Sequence, residues 1–287
     1  MSDGEAVDAD LSQIPDCHFL ILDKPYGETS AAVVETAKRC LGNLYKASLQ
    51  TRYDEYQTTH ASIGQKGGKR LKYLKVGHGG TLDPFATGVL VLGIEGGTKL
   101  LDRFLSGSKA YECTAHFGVA TNTQDVTGDN IENRPYSHVT KQALDAMIHA
   151  RFLGEIMQIP PMYSALKVNG KRLYEYARAN LSVKVDPRPI QILALEVLEV
   201  DLPRVKFRVE CGGGTYVRTL IHDLAHAVDS CAHLTQLRRT RCGMFSLENA
   251  ISADRDYLRS LGPELARHLT HADAIIAGRS GPTDATQ

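Results

Sequence analysis

The stretch KVGHGGTLDPFATGVLVLGIEGGTK, residues 75–99, constrains the fold more than any other part of the chain. It sets seven glycines, one proline, one histidine and one aspartate around a short apolar run. GVLVLGI (88–94) is rich in branched apolar residues and bounded by glycine, which predicts a buried strand. It falls far short of the ~20 apolar residues of a membrane helix, as does every other apolar run in the chain. Glycine-rich loops beside such strands often cradle phosphates, so two readings compete. The stretch is either a nucleotide pocket or a platform for Asp83.

The nucleotide patterns fail where their chemistry is fixed. Gly77-His78-Gly79 opens a GxGxxG motif, but Leu82 fills its last position. Counted from Gly93, a P-loop would place Lys99 correctly, yet Thr98 stands at the second glycine and Leu100 at the hydroxyl that should meet magnesium. HDLAH (222–226) puts two histidines on one helix face, with His233 nearby, but Asp223 stands where a zinc protease carries Glu. That spacing reads as a coincidental helix-face pair. No serine lies in a GxSxG elbow. Asp83 remains: Pro84 biases its backbone toward extended geometry, and the glycines allow close approach of another chain or a ligand. An Asx turn beside proline is the structural alternative.

Strands and helices alternate without a βαβ repeat, which predicts an α+β fold with a mixed or antiparallel sheet. CHFLILDKP (17–25) reads as a strand, and SAAVVETAKRCLG as a helix capped by Thr29 or Ser30 and closed by Gly42. KAYECTAHFGVAT (109–121) alternates like a half-exposed strand, and 122–135 is a polar turn region. HVTKQALDAMIHARFL (138–153) and YVRTLIHDLAHAVD are helical, and AHLTQLRRTRCGMFSLENA suggests a short helix and a strand. Residues 1–16 carry five acids and no base, the pattern of a disordered acidic tail without a secretory signal or an Arg-rich transit peptide. Net charge is zero, but KGGKRLKYLK (66–75) holds five bases and no acid, a patch that can meet phosphates. Six cysteines without a CxxC pair point to free thiols and no zinc site.

Asp83 does not stand alone. LDKPYGETS, GHGGTLDPFATGVL, KAYECTAHFGVATNTQDVTG, IPPMYSALKVNGKRLYEYAR, CGGGTYVRTLIHDLA and LRRTRCGMF occur in one order. Through them the chain resembles the TruB family of tRNA pseudouridine synthases over roughly residues 18–250. The resemblance implies a pseudouridine synthase fold, a mostly antiparallel mixed sheet flanked by helices with RNA-clamping insertions. It also implies conversion of uridine to pseudouridine at position 55 of the tRNA T loop, without cofactor or metal. Carried over residue by residue, it makes Asp83 the catalytic carboxylate, Tyr111 the stacking tyrosine, and Tyr216 and Arg218 its active-site partners. It makes His78, Gly79, Gly80, Lys24, Asp125 and Leu237 substrate-side residues. Asn122 departs from the family's usual Asp in the acidic turn.

The expected organisation is an acidic tail (1–16), a catalytic domain (17–255) and a C-terminal helix and tail (256–287). Within the domain, 43–74 reads as a basic insertion of the eukaryote-like branch, and about 122–186 as an RNA-clamping insertion. Only 42 residues follow Phe245, too few for a full PUA domain, so a stand-alone enzyme without an obligate protein partner is expected. Lys66, Lys69, Arg70, Lys72 and Lys75, with Arg238, Arg239 and Arg241, are the candidate phosphate contacts. The expected partner is the T-stem loop of tRNA, with T-loop-like mRNA hairpins, or an RNA-folding role, as the alternative. The expected location is the nucleus, the cytoplasm or both, with no membrane contact.

The chemistry explains why such residues are needed. Pseudouridine formation breaks the C1′–N1 bond, turns the base and joins C5 to C1′. A carboxylate either attacks C1′ or removes the C2′ proton, and both roles need it ionised, as a nearby Arg218 would favour. An aromatic face offsets the unstacking of the extruded base by about 1–3 kcal/mol, and Tyr111 can supply it.

Overall fold

The computed structural model describes residues 17–60, 73–179 and 181–271. In chain order these form β1 (Cys17–Lys24), α1 (Ser30–Leu44), α2 (Lys46–His60), β2 (Val76–His78), β3 (Thr87–Glu95), α3 (Leu101–Ser106), β4 (Lys109–Phe117), β5 (Val119–Thr121), β6 (Asn130–Asn133), α4 (Lys141–Arg151) and β7 (Gly154–Gln158). There follow β8 (Lys167–Val168), β9 (Lys171–Arg172), α5 (Leu173–Arg178), β10 (Arg188–Asp201), β11 (Arg204–Cys211), α6 (Val217–Ala227), β12 (Ala232–Cys242), β13 (Phe245–Ser246), β14 (Ile251–Ser252), α7 (Arg255–Leu261) and β15 (Leu269–His271). No helix among the described residues is long and apolar enough to cross a membrane.

One large sheet organises them, in the order β14-β1-β3-β12-β4-β11-β10-β7. Its pairings are antiparallel except for β1 with β14 and a short contact of β3 with β12. This is the α+β, mostly antiparallel arrangement that the sequence implies. β3 shows why GVLVLGI is apolar throughout. Successive side chains of a strand point to opposite faces, and both faces of β3 are covered. Leu90, Leu92 and Ile94 join Leu20 and Leu22 under α1 and α7, while Val89 and Val91 join Phe19, Ile21, Phe104 and Phe245 on the other side. β4 is likewise central, between β11 and β12, and mostly buried, not half-exposed, because Tyr111, Cys113, Ala115 and Phe117 pack into the main core.

Several element boundaries differ from expectation. Thr29 caps α1, its hydroxyl accepting from the Ala32 amide at 3.1 Å. The helix then runs through Gly42 to Leu44, because Leu44 and Tyr45 beyond it are buried. Part of the 43–74 segment is the helix α2. Its Leu49, Arg52, Tyr53 and Tyr56 share one face, and Arg52 pairs with the buried Glu95 at 2.7 Å. Residues 61–72, with Lys66, Lys69, Arg70 and Lys72, lie outside the described residues, as do the tails at 1–16 and 272–287. The 122–186 segment is not one insertion. Leu144 and Ile148 of α4 are buried in the main core and β7 pairs with β10 in the main sheet, so what lies outside that sheet is the β5–β6 pair and the β8–β9 hairpin. Residues 232–242 are strand throughout, without a short helix. The boundary at 255 is no domain boundary either: Leu258 and Leu265 are buried and β15 pairs antiparallel with β1.

Candidate active site

The loop between β2 and β3 carries Asp83, and it is fixed on both sides of that residue. Before it, the Ser30 hydroxyl donates to the Leu82 carbonyl and accepts from the Leu82 amide, both at 2.9 Å. After it, the Pro84 carbonyl accepts from the Gly27 amide at 2.8 Å and from Lys24 Nζ at 3.2 Å. The segment LDKPYGETS therefore braces the Asp83 loop. Lys24 is wholly buried, its Nζ also donating to the Pro25 carbonyl at 2.8 Å. It does not reach a ligand surface, which corrects the expectation of a substrate contact. Burial lowers its pKa to about 8 although the Asp83 charge opposes the shift.

Arg218, on the first turn of α6, meets Asp83 side-on with the Nε–Nη2 edge of its guanidinium. Nε donates to Oδ2 at 2.8 Å and Nη2 to Oδ1 at 3.3 Å. The remaining donors go to the Thr123 carbonyl at 2.5 Å and the Tyr163 carbonyl at 2.8 Å. Arg218 is 3% exposed, whereas the Asp83 side chain keeps 32% of its surface. The pair thus presents a carboxylate backed by a buried cation, a geometry that locks orientation as well as charge. Burial pushes the Asp83 carboxyl above the usual carboxylate range and the nearby Asp125 adds to that, while Arg218 draws it back down.

Two cavities meet at this pair. The smaller, of about 260 Å³, is lined by Asp83, Tyr111, Tyr216, Arg218, Leu237 and Arg239 among others. The larger, of about 570 Å³, reaches His78, Asp125, Tyr163, Arg172 and Tyr174. Tyr111, on β4, is 6% exposed, and burial raises its phenol to about 12 although Arg239 beside it opposes the shift. It is a neutral phenol at physiological pH. Leu237 supplies an apolar wall and is 7% exposed. His78 faces the larger cavity, its buried Nδ1 without a hydrogen-bond partner among the described residues, and burial holds its pKa below the usual value.

Other expected contacts are used internally. Asp125 is buried, its Oδ1 accepting from the hydroxyls of Thr123 and Thr127 and the Thr127 amide, with Oδ2 at 3.9 Å from Arg218 Nη1. It frames Arg218 instead of facing a ligand freely. A Cβ on Gly79 would lie 2.6 Å from Phe104 Cβ, and one on Gly80 3.4 Å from Arg239 Nη1. Gly79 makes room for the chain's own Phe104, whereas Gly80 is required by its φ of +134° and lines the smaller cavity. Arg239 is 1% exposed and donates to the carbonyls of Val89 and Gly80, so it is no phosphate ligand. Arg238 forms a two-point pair with Asp23 (2.7 and 3.2 Å), and Arg241 bonds Ser108 and Glu210. Lys75 is exposed. In the HDLAH pair, His226 Nε2 lies 3.0 Å from Glu132 and Nδ1 2.9 Å from the His222 carbonyl.

Three contributors escaped the sequence reading. Lys109 Nζ donates to the carbonyls of Leu105 and Gly107 at the end of α3 while lining the smaller cavity. Ser164 lines both cavities. Gln158 is 2% exposed, and its amide bonds both backbone groups of Tyr216. Lys109 was visible in the K-x-Y motif, but no local signal marks Gln158, whose partner lies 58 residues away.

A family model described as the N-terminal domain of TruB family pseudouridylate synthases matches residues 68–217. The tRNA pseudouridine synthase B of Aromatoleum aromaticum is 42% identical over 233 residues, 81% of this chain and 65% of that protein. That of Burkholderia lata is 49% identical over 180 residues, 63% and 55% of the two chains, and that of Burkholderia mallei 43% identical over 235 residues, 82% and 67%. The chain thus spans 55 to 67% of these relatives' length. They are bacterial and lend no support to a eukaryote-like branch. Among solved structures, a chain from a Cbf5-Nop10-Gar1 complex superposes with a TM-score of 0.60 at 27% identity, covering 91% of this chain and 63% of the other. One from an H/ACA RNP bound to a substrate RNA containing 2′-deoxyuridine gives 0.56 at 26%, covering 88% and 59%.

Proposed function

This chain belongs to the TruB family of pseudouridylate synthases, and from that premise we propose that it isomerises uridine to pseudouridine in tRNA, at position 55 of the T loop. Asp83 is the working carboxylate, and the uridine enters the smaller cavity flipped out of its stack. The observation that carries the reading is the part-exposed Asp83 held by buried Arg218 in a cleft walled by Tyr111 and Leu237. An aromatic and an apolar wall suit a base; the anionic group between them suits the sugar carbon or its neighbouring C2′ proton.

The C1′–N1 bond breaks, C5 bonds to C1′, the C5 proton leaves and N1 gains one. Reactant and product are isomers, so neither oxidant nor reductant enters the balance. Arg218 keeps the carboxylate ionised against the pull of burial. Tyr111 stacks on the base, and a tyrosine, Tyr111 or Tyr216, takes up the C5 proton as its own hydroxyl proton passes to solvent.

The test is tritium release from a T-stem-loop transcript labelled at C5 of uridine. Wild type should release label from the position-55 uridine, and Asp83→Asn should release none. Affinity should change less than about tenfold, because phosphate contacts dominate it. Turnover by the Asn variant would remove Asp83 from its role. Absence of turnover by the wild type on tRNA would remove the reaction itself.

A further inference from the structure

We propose that Gln158 is a positioning residue for the isomerisation, an amide clamp that fixes the start of α6 and with it Tyr216 and Arg218. The proposal rests on the function proposed above. The need for a clamp comes from the chain leading into α6. Gly212, Gly213 and Gly214 precede Thr215, and a run of glycines specifies its own path weakly. Gly214 has φ +82°, and a Cβ on Gly213 would lie 2.4 Å from the Leu105 carbonyl, so the run cannot be stiffened with larger residues. Tyr216 then begins the helix with no side-chain cap, although helix starts leave amide groups that need a partner.

Gln158 supplies that partner from β7. Its Oε1 accepts from the Tyr216 amide at 2.9 Å and its Nε2 donates to the Tyr216 carbonyl at 3.1 Å. A primary amide carries its donor and its acceptor on two separate atoms, so one side chain can pair with both backbone groups as a neighbouring strand would. Five residues on, the Tyr163 carbonyl holds Arg218 Nη2 at 2.8 Å. One segment therefore grips α6 at its first backbone group and at its catalytic guanidinium. Gln158 itself lines neither cavity, so its effect must pass through Tyr216 and Arg218.

The experiment compares wild type with Gln158→Met and Gln158→Glu on the T-stem-loop transcript. Measured are RNA affinity, single-turnover rate at saturating enzyme, its pH profile, and melting temperature. Met removes both bonds; Glu keeps the acceptor but sets a carboxylate against a carbonyl. Both variants should lose at least tenfold in single-turnover rate while RNA affinity stays within threefold. Their acid limbs should move to higher pH, because a displaced Arg218 no longer draws Asp83 down. A rate within threefold of wild type in both variants would overturn the clamp. So would a rate loss that tracks melting temperature, recovers on cooling and leaves the pH profile in place, for that is a purely structural residue. A wild type inert on tRNA would instead overturn the function, which the same assay reads separately.

Discussion

The Asp83 carboxylate is pulled two ways, and the balance sets a measurable pH dependence. Burial and Asp125 favour the acid, Arg218 favours the anion, and the net direction is upward. Since catalysis needs the anion, the acid limb of kcat/KM should lie above the ordinary carboxylate pKa of about 3.9. Asp125→Asn removes a negative neighbour and should move that limb to lower pH. Lys24 gives a stability counterpart. Its folded pKa of about 8 lies below the ordinary lysine value of 10.5. Between those values the unfolded chain binds more protons, so this residue's contribution rises with pH and is lost as pH falls through about 8. Denaturant titrations from pH 7.5 to 10 should show that increment in wild type and not in Lys24→Met. Asp83, Tyr111 and Arg218 were all legible in the sequence, because they stand in local motifs. The duties of Lys24 and Arg239 were not, since a buried cation bonded to carbonyls has the same letter as one that meets phosphate.

At the scale of elements, glycines mark where the chain crosses itself. Gly88 has φ +103°, and a Cβ there would lie 2.2 Å from the Arg239 carbonyl, where β3 meets β12. Gly88→Ala should destabilise the fold by more than about 2 kcal/mol in chemical denaturation, because backbone cannot yield as a side chain can. Ser30→Ala tests the loop brace. It leaves Leu82 without two buried bonds and should cost about 1–3 kcal/mol, with a loss in turnover beyond the loss in folded fraction. The apolar run of β3 and the periodicity of α4 and α6 made those elements readable. The segment 232–250 suggests a short helix and a strand from sequence; its strand is β12, and the only helical turn is the short one at Leu247–Asn249. α2 was missed because its packed face holds few strongly apolar residues.

The whole molecule is held by pairings between distant parts of the chain. Charge still bears on RNA binding at this scale. Replacing Lys66, Lys69, Arg70 and Lys72 by alanine should flatten the plot of log affinity against log salt by about 3 in slope if each meets a phosphate; an unchanged slope would make that patch a solvated one. The mixed sheet was legible in the irregular succession of strands and helices. Its order was not, since strand neighbours such as β1 and β15 lie some 250 residues apart and no local pattern encodes that distance. This arrangement also governs the protein's birth on the ribosome. Asp83 and Arg218 are 135 residues apart, and Asp23 and Arg238 are 215 apart. A nascent chain therefore displays the whole GHGGTLDP loop long before α6 exists to complete it. Long-range closure is slow, so β1 can pair with β3 early, while its other edge waits for β14 and β15 from the end of the chain. Until α6 forms, the Asp83 carboxylate lacks the two-point Arg218 contact that holds it in the folded protein.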